Sequence, residues 1–317
     1  MTAFSVAGND HLLRSNVWSS QMKTLLEDEL MGMRWVKILS EFPDGTTFNI
    51  PSVGEAETRD YSEGQAIRYD RMDTGNYTFS WDQYKYSANA VTEKFKRDSY
   101  YAEQVVSSFV PKQHRALMEA VETRILSRGN DNQTASSLNA INGADHRWVG
   151  SGTNETMAPV DFAKARYSLQ KANITPTNLI AIVDPSVTYA LQTSPNIMNA
   201  LSPYQMSESI FKEGGTTGTR FRFNLFGFDI YESNYLKRDI SETVDGLTVT
   251  VGVSNLLFSA TPGDTLPIIG GFKQMPTVYS EFNKDLQQTE YLTICEYGFK
   301  LYRPENMVVV LSDTDQV

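Results

Sequence analysis

The chain has 317 residues, 40% of them hydrophobic, which is enough to bury a sizeable core in one large domain or two modest ones. A net charge of −10 argues against a nucleic-acid binder, which grips phosphates with clustered Lys and Arg, although such a surface can lie near nucleic acid without adhering to it. A single cysteine, Cys295, excludes an internal disulfide and fits a reducing cytosol. The opening MTAFSVAGNDHLLRS lacks the basic and apolar regions of a signal peptide, and no run approaches the roughly 18 apolar residues of a membrane helix. The expectation is a soluble, intracellular protein, in which the sequons at Asn76, Asn132, Asn154 and Asn173 stay idle.

Along the chain, NVWSSQMKTLLEDELM (16–31) places Trp18, Met22, Leu25, Leu26 and Leu30 at helical spacing, with Asn16 as a cap and Gly32 as a stop. From Arg34 the period becomes two: RWVKILSEF reads as a strand, and Asp44-Gly45 as a hairpin turn into TTFNIP. After the polar excursion GEAETRDYSEG, the strand QAIRYDRMD turns at Thr74-Gly75-Asn76 into an aromatic ribbon, the two arms forming a long hairpin. In that ribbon Tyr77, Phe79 and Trp81 alternate on one face, while Tyr84 and Tyr86 fall on the other phase, which predicts a bulge or twist near Asp82 and Gln83.

The longest helical tract starts at Asp98 and runs to Arg128, with an expected break or kink at Pro111. Its second part turns Leu117, Met118, Val121, Ile125 and Leu126 inward, and Gly129 stops it. Residues 129–159, rich in Gly, Ser, Asn and Thr, read as a long loop. The helix VDFAKARYSLQKAN, the buried strand NLIAIVD and the helix PSVTYALQT then make a small α/β unit. A flexible GGTTGTRFRF (214–223) leads into the strands GFDIYESNYL and GLTVTVGVSNLLFSA, followed by TVYSEF, EYLTICEYGFKLY and MVVVLS.

Enzyme signatures are missing: there is no G-x-x-x-x-G-K-[ST], dinucleotide G-x-G-x-x-G, H-E-x-x-H or G-x-S-x-G. GGTTGTR could cradle an anion, but without the P-loop lysine a flexible surface loop is the better reading. His11, His114 and His146 are scattered, so a solvated loop histidine outweighs a metal site built on His146 and Asp145. Cys295 alternates with Tyr291 and Thr293 and reads as a structural thiol. Acidic groups such as Glu27-Asp28-Glu29 and Asp70 with Asp73 read as solvated faces rather than as an acid–base pair.

An amphipathic arm and a projecting aromatic hairpin display apolar groups that a compact monomer has trouble covering, which marks sites of association. Three stretches, IVDPSVTYAL (182–191), FGFDIYESNYL (226–236) and YGFKLYRPENMVVVL (297–311), together with the order of elements over nearly the whole chain, resemble the major capsid proteins of tailed bacteriophages, which share the Hong Kong 97 capsid fold. The resemblance implies an α+β fold in these parts: an N-terminal arm (1–33), peripheral-domain strands (34–51), an extended β-hairpin loop (52–92), a peripheral domain with spine helix and following loop (93–159), an axial domain (160–275) and closing peripheral strands (276–317).

It also implies a function: copies form the hexamers and pentamers of an icosahedral virion head around packaged double-stranded DNA, held without sequence-specific binding, with no enzymatic activity, cofactor, metal or membrane. The expected partners are the chain itself, a separate scaffolding protein during assembly in the host bacterial cytoplasm, a portal protein at one vertex, and a decoration protein if one is present. Arm contacts between subunits fall to Trp18, Met22, Leu25 and Leu26, and loop contacts to Tyr77, Phe79, Trp81, Tyr84 and Tyr86. Gly214, Gly215, Gly218 and Arg220 lie at a symmetry axis or against a neighbour. Some relatives cross-link a loop lysine to a neighbour's asparagine; Lys85 lies in the right region, but a loop lysine is commonplace. The rival readings are an encapsulin-type nanocompartment of the same fold and, more distantly, an acidic hydrolase using carboxylates such as Asp70 and Asp73.

Overall fold

A computed structural model describes residues 30–39, 47–54, 58–66, 74–99, 102–131, 138–193, 221–261 and 265–314. The expected arm helix, the Asp44-Gly45 turn, most of QAIRYDRMD and the GGTTGTR segment lie outside the described residues.

Two sheets organise the chain. One has four strands in the order β1 (Val36–Ile38), β13 (Ile268–Asn283), β14 (Gln288–Leu301) and β4 (Gln83–Thr92). The other has seven: β7 (Arg147–Val149), β15 (Val308–Asp313), β12 (Leu247–Ser259), β8 (Leu179–Val183), β10 (Phe228–Glu232) and β9 (Phe221–Leu225) in that order, with β11 (Ile240–Val244) also on β12. Two short ladders complete the strands: β2 (Thr47–Val53) with β3 (Thr74–Ser80), and β5 (Ala140–Ile141) with β6 (Ala144–Asp145). The helices are α1 (Glu93–Asp98), α2 (Ala102–Ser127), α3 (Pro159–Lys171) and α4 (Pro185–Thr193).

The seven-stranded sheet is covered on both faces, which explains its continuous apolar runs. Phe162, Ala165 and Leu169 of α3 and Val187 and Leu191 of α4 pack with Ala181 and Val183 of β8 on one side. On the other, Ile180 and Ile182 join Leu117, Val121 and Ile125 of α2 and Trp35. The run Val308–Leu311 alternates between these two cores, Val308 and Val310 in the first, Val309 and Leu311 in the second. Both helices on the first face start on a fixed cap: the Asp161 carboxylate accepts from the backbone N of Ala158 (2.8 Å) and Ser151 (3.0 Å), and Asp184 from the backbone N (3.1 Å) and Oγ (2.7 Å) of Ser186.

Several expectations are corrected. β1 does not form a hairpin with TTFNIP; it runs parallel to β13, Val36 opposite Ile268, while β2 pairs β3, Phe48 opposite Phe79. Thr74–Asn76 are strand rather than turn, and Gly75 serves close approach: a Cβ there would lie 2.5 Å from Ser52 Oγ. Helix α2 runs through Pro111 without a break. Residues on both sides of the proline grip one strand: Phe109 meets the Tyr291 ring at 6.2 Å, and Gln113 donates to Tyr291 O (3.1 Å) and accepts from Thr293 Oγ1 (2.7 Å). Tertiary contact thus overrides the local cost of the proline.

The polar stretch 129–159 hides a buried strand, β7, whose Arg147, Trp148 and Val149 are all buried. A closing strand also changes sheet: β15 pairs with β12 and β7 rather than with β14, and β13 spans the expected boundary at 275. Sheet membership therefore follows packing, not sequence blocks.

Candidate interaction surfaces

The aromatic ribbon divides between the chain's own core and its surface. Tyr77 is half-buried, set edge-on against Tyr302 at 5.1 Å; its hydroxyl donates to Leu301 O (2.8 Å), and Lys300 Nζ sits 4.9 Å from the ring centre. Burial, and then the neighbouring Tyr302, push its pKa well above the usual phenol range. Phe79 is 0% exposed and meets Trp81 edge to face at 5.1 Å. Gly298 of β14 opens the slot for it: a Cβ there would lie 3.1 Å from Phe79 Cζ and 3.0 Å from Ser80 O. Trp81 is half-buried beside Gly271.

These placements correct the expectation that Tyr77, Phe79 and Trp81 are all buried between subunits. Phe79 is withdrawn entirely into this chain, and Tyr77 is held by its own β14. An intramolecular slot wins because filling it costs no translational or rotational freedom. Tyr77 and Phe79 anchor the β2–β3 ladder to β14.

Tyr84 and Tyr86 behave differently, at 60% and 68% exposed. The change of phase expected near Asp82 and Gln83 is the step from β3 to β4, where the chain passes from one ladder to the other sheet. Arg124 of α2 fixes the step through an ion pair with Asp82. Along β14, Tyr291 and Thr293 contact α2, so Leu292 and Ile294 face away from it. On that outer face Tyr86 stands beside Ile294, and Ala88, Leu292 and Tyr279 form the next row. Among the described residues, no helix or strand covers this face.

A second feature was not foreseen. Glu122 of α2 is 2% exposed, and its carboxylate accepts from the backbone N of Met31 (3.0 Å) and Gly32 (2.8 Å). Gly32 permits the approach, since a Cβ there would lie 2.9 Å from Glu122 Oε2. Burial raises the pKa of this carboxyl, opposed by the two backbone donors and by Arg115 and Arg34. The carboxylate pins residues 31–32 to α2. The readable signal was a glutamate set four residues from both Met118 and Leu126, inside the apolar stripe.

The chemistry-bearing residues do not converge. His146 is buried rather than solvated, as β7 and its neighbours close over it; Nδ1 lies 2.9 Å from Ala144 O, and burial lowers its pKa. His114 is exposed on α2, and His11, Asp70 and Asp73 lie outside the described residues. Cys295 is buried, its thiol pushed up to about 11 by desolvation, as suits a structural role. Among the described residues no group of three or more His, Cys, Asp or Glu could hold a metal ion. The open cleft beside Tyr77 contains Asp82 and Asp131, but each carboxylate is paired with an arginine, Arg124 and Arg128 respectively. The arm residues Trp18, Met22, Leu25 and Leu26, and Gly214, Gly215, Gly218 and Arg220, also lie outside the described residues. Lys85 is exposed on β4. Among the described residues no helix is long and apolar enough to cross a membrane.

No family model matches the chain. No curated protein matches it either. Solved structures do, from end to end. The capsid structure of cyanophage P-SCSP1u is similar over 95% of this chain and 93% of that one, with a TM-score of 0.72 at 14% identity. The capsid asymmetric unit of cyanophage Pam1 matches over 99% of both chains, with a TM-score of 0.70 at 14% identity. A chain from Mycobacterium phage Che8 matches over 93% of this chain and 96% of its own, with a TM-score of 0.68 at 19% identity. The chain has the α+β Hong Kong 97-like capsid fold.

Proposed function

We propose that the chain is a major capsid protein, whose copies form the hexamers and pentamers of an icosahedral virion head around packaged double-stranded DNA. The observation that carries this reading is the end-to-end likeness to capsid chains, with 99% of both partners covered in one case. The exposed apolar face bearing Tyr84, Tyr86, Leu292, Ile294 and Tyr279 supports it, because faces of this kind are covered in association. The net charge of −10 fits it, since an acidic chain beside confined DNA avoids strong adhesion to it.

In this reading the work is assembly. The rings of Tyr77, Phe79 and Trp81 hold the root of the extended loop rigid, and Glu122 fixes where the arm leaves the body. Contacts with neighbours then fall to Tyr84 and Tyr86, to Trp18, Met22, Leu25 and Leu26 of the arm, and to the loop of Gly214, Gly215, Gly218 and Arg220. Assembly in the host cytoplasm would use a separate scaffolding protein, with a portal protein at one vertex and, where present, a decoration protein. Each contact is modest, and a closed shell multiplies it.

The test is sedimentation and electron microscopy of the purified chain, alone and with the proposed scaffolding protein. Closed icosahedral particles are expected. A discrete small species under every condition would overturn the reading.

A further inference from the structure

The four-stranded sheet carries an edge that nothing among the described residues protects. β13 pairs with β1 only over Ile268–Gly270, so among the described residues the rest of its second edge faces no strand. The devices that blunt such edges are a proline and a bulge, here Pro276 and the register shift between Gln274 and Thr277. They end where the open run begins. From Thr277 to Asn283 the register with β14 is unbroken, and Glu281 is the single charge. Thr277–Phe282 are all exposed. By strand alternation Val278 and Phe282 share the face that carries α2, and Tyr279 points to the other. Seven residues make an edge of about 24 Å, with Val278 and Phe282 on one face and the Tyr279 ring on the other.

The run is its own complement. With a second copy laid antiparallel and Ser280 facing Ser280 of that copy, Val278 meets Phe282 twice, Tyr279 meets Glu281 twice, and Thr277 meets Asn283 twice. Val278 against Phe282 is a β-branched–aromatic pair of the kind that stabilises neighbouring strands, and no like charges stand directly opposite. Centring on Glu281 would oppose like charges directly. Centring on Tyr279 would set Phe282 against Pro276, which has no N–H to give.

We propose that β13 is an isologous interface: two copies join their four-stranded sheets edge to edge through Thr277–Asn283, antiparallel about a two-fold axis. This rests on the reading that the chain assembles with itself, and it adds a particular joint. A two-fold contact cannot extend a ring but can tie one ring to the next, as a closed shell requires.

The experiment uses Ser280→Cys, the native Cys295 being buried, with a short bis-maleimide cross-linker on the purified and the assembled chain. A cross-linked dimer is expected on a denaturing gel. Val278→Lys and Phe282→Glu, each added singly, should abolish it. Together they should restore it, because each ammonium then meets a carboxylate of the other copy. Circular dichroism checks that these surface variants stay folded. Absence of the dimer with Ser280→Cys, or failure of the paired change to restore it, overturns the proposal. Microscopy separates the two readings: particles without the cross-link sink the edge pairing alone, and a cross-linked dimer that never forms particles sinks the shell alone.

Discussion

Replacing Phe79 by alanine asks whether the aromatic ribbon belongs to the chain or to its neighbours. The side chain is 0% exposed, lies in the slot left by Gly298 and meets Trp81 edge to face at 5.1 Å. Truncating a buried phenylalanine costs about 3–5 kcal/mol, from lost transfer energy and from the cavity left behind. Alanine at 298 alone should also destabilise, since its Cβ would crowd the ring and Ser80 O. The two changes share one slot, so they should be non-additive by about 0.5–3 kcal/mol. The assay is urea unfolding of the unassembled chain, followed by circular dichroism and by tryptophan fluorescence, which includes Trp81. With a slope of about 3 kcal/mol/M, the Phe79→Ala midpoint should fall by about 1 M or more. An unchanged midpoint, with loss of assembly instead, would refute the intramolecular slot and return the ring to a contact between subunits.

Tyr86→Ala should do the opposite: an exposed site shifts stability by less than about 0.5 kcal/mol, while particle yield falls in sedimentation. Arg147→Ala should cost about 3 kcal/mol, because the fully buried guanidinium bonds Glu242 Oε2 (2.5 Å) and Asn130 Oδ1 (3.1 Å), and its loss leaves a cavity and takes the cation from a half-buried carboxylate. Calorimetry against Arg147→Ala/Glu242→Leu checks this, the double change being the milder. For Glu122 the folded-state pKa is raised, so the folded chain binds more protons than the unfolded one between the usual carboxylate value and the raised value. Wild-type stability measured relative to Glu122→Gln should therefore rise as pH falls through that window; a difference that does not change with pH would show that the carboxyl is not buried.

Period and composition carried much of this molecule. The inward stripe of α2 at Leu117, Val121, Ile125 and Leu126, the strand Leu179–Val183, the helix that follows Pro159 and the helix starting at Pro185 all follow from local patterning, because a 3.6-residue or fully apolar run has few other ways to hide from water. The outlying phase of Tyr84 and Tyr86 was equally legible, and it marks the step between sheets. Only tertiary structure decided what each face met. It sent β15 to the seven-stranded sheet, carried α2 through Pro111, buried Arg147 and His146 inside a stretch that reads as polar loop, and gave Phe79 a slot within its own chain. Alternation reveals that a side chain must be covered but not by what. The covering group comes from residues distant in sequence, such as Gly298 for Phe79, and their approach leaves no periodic trace.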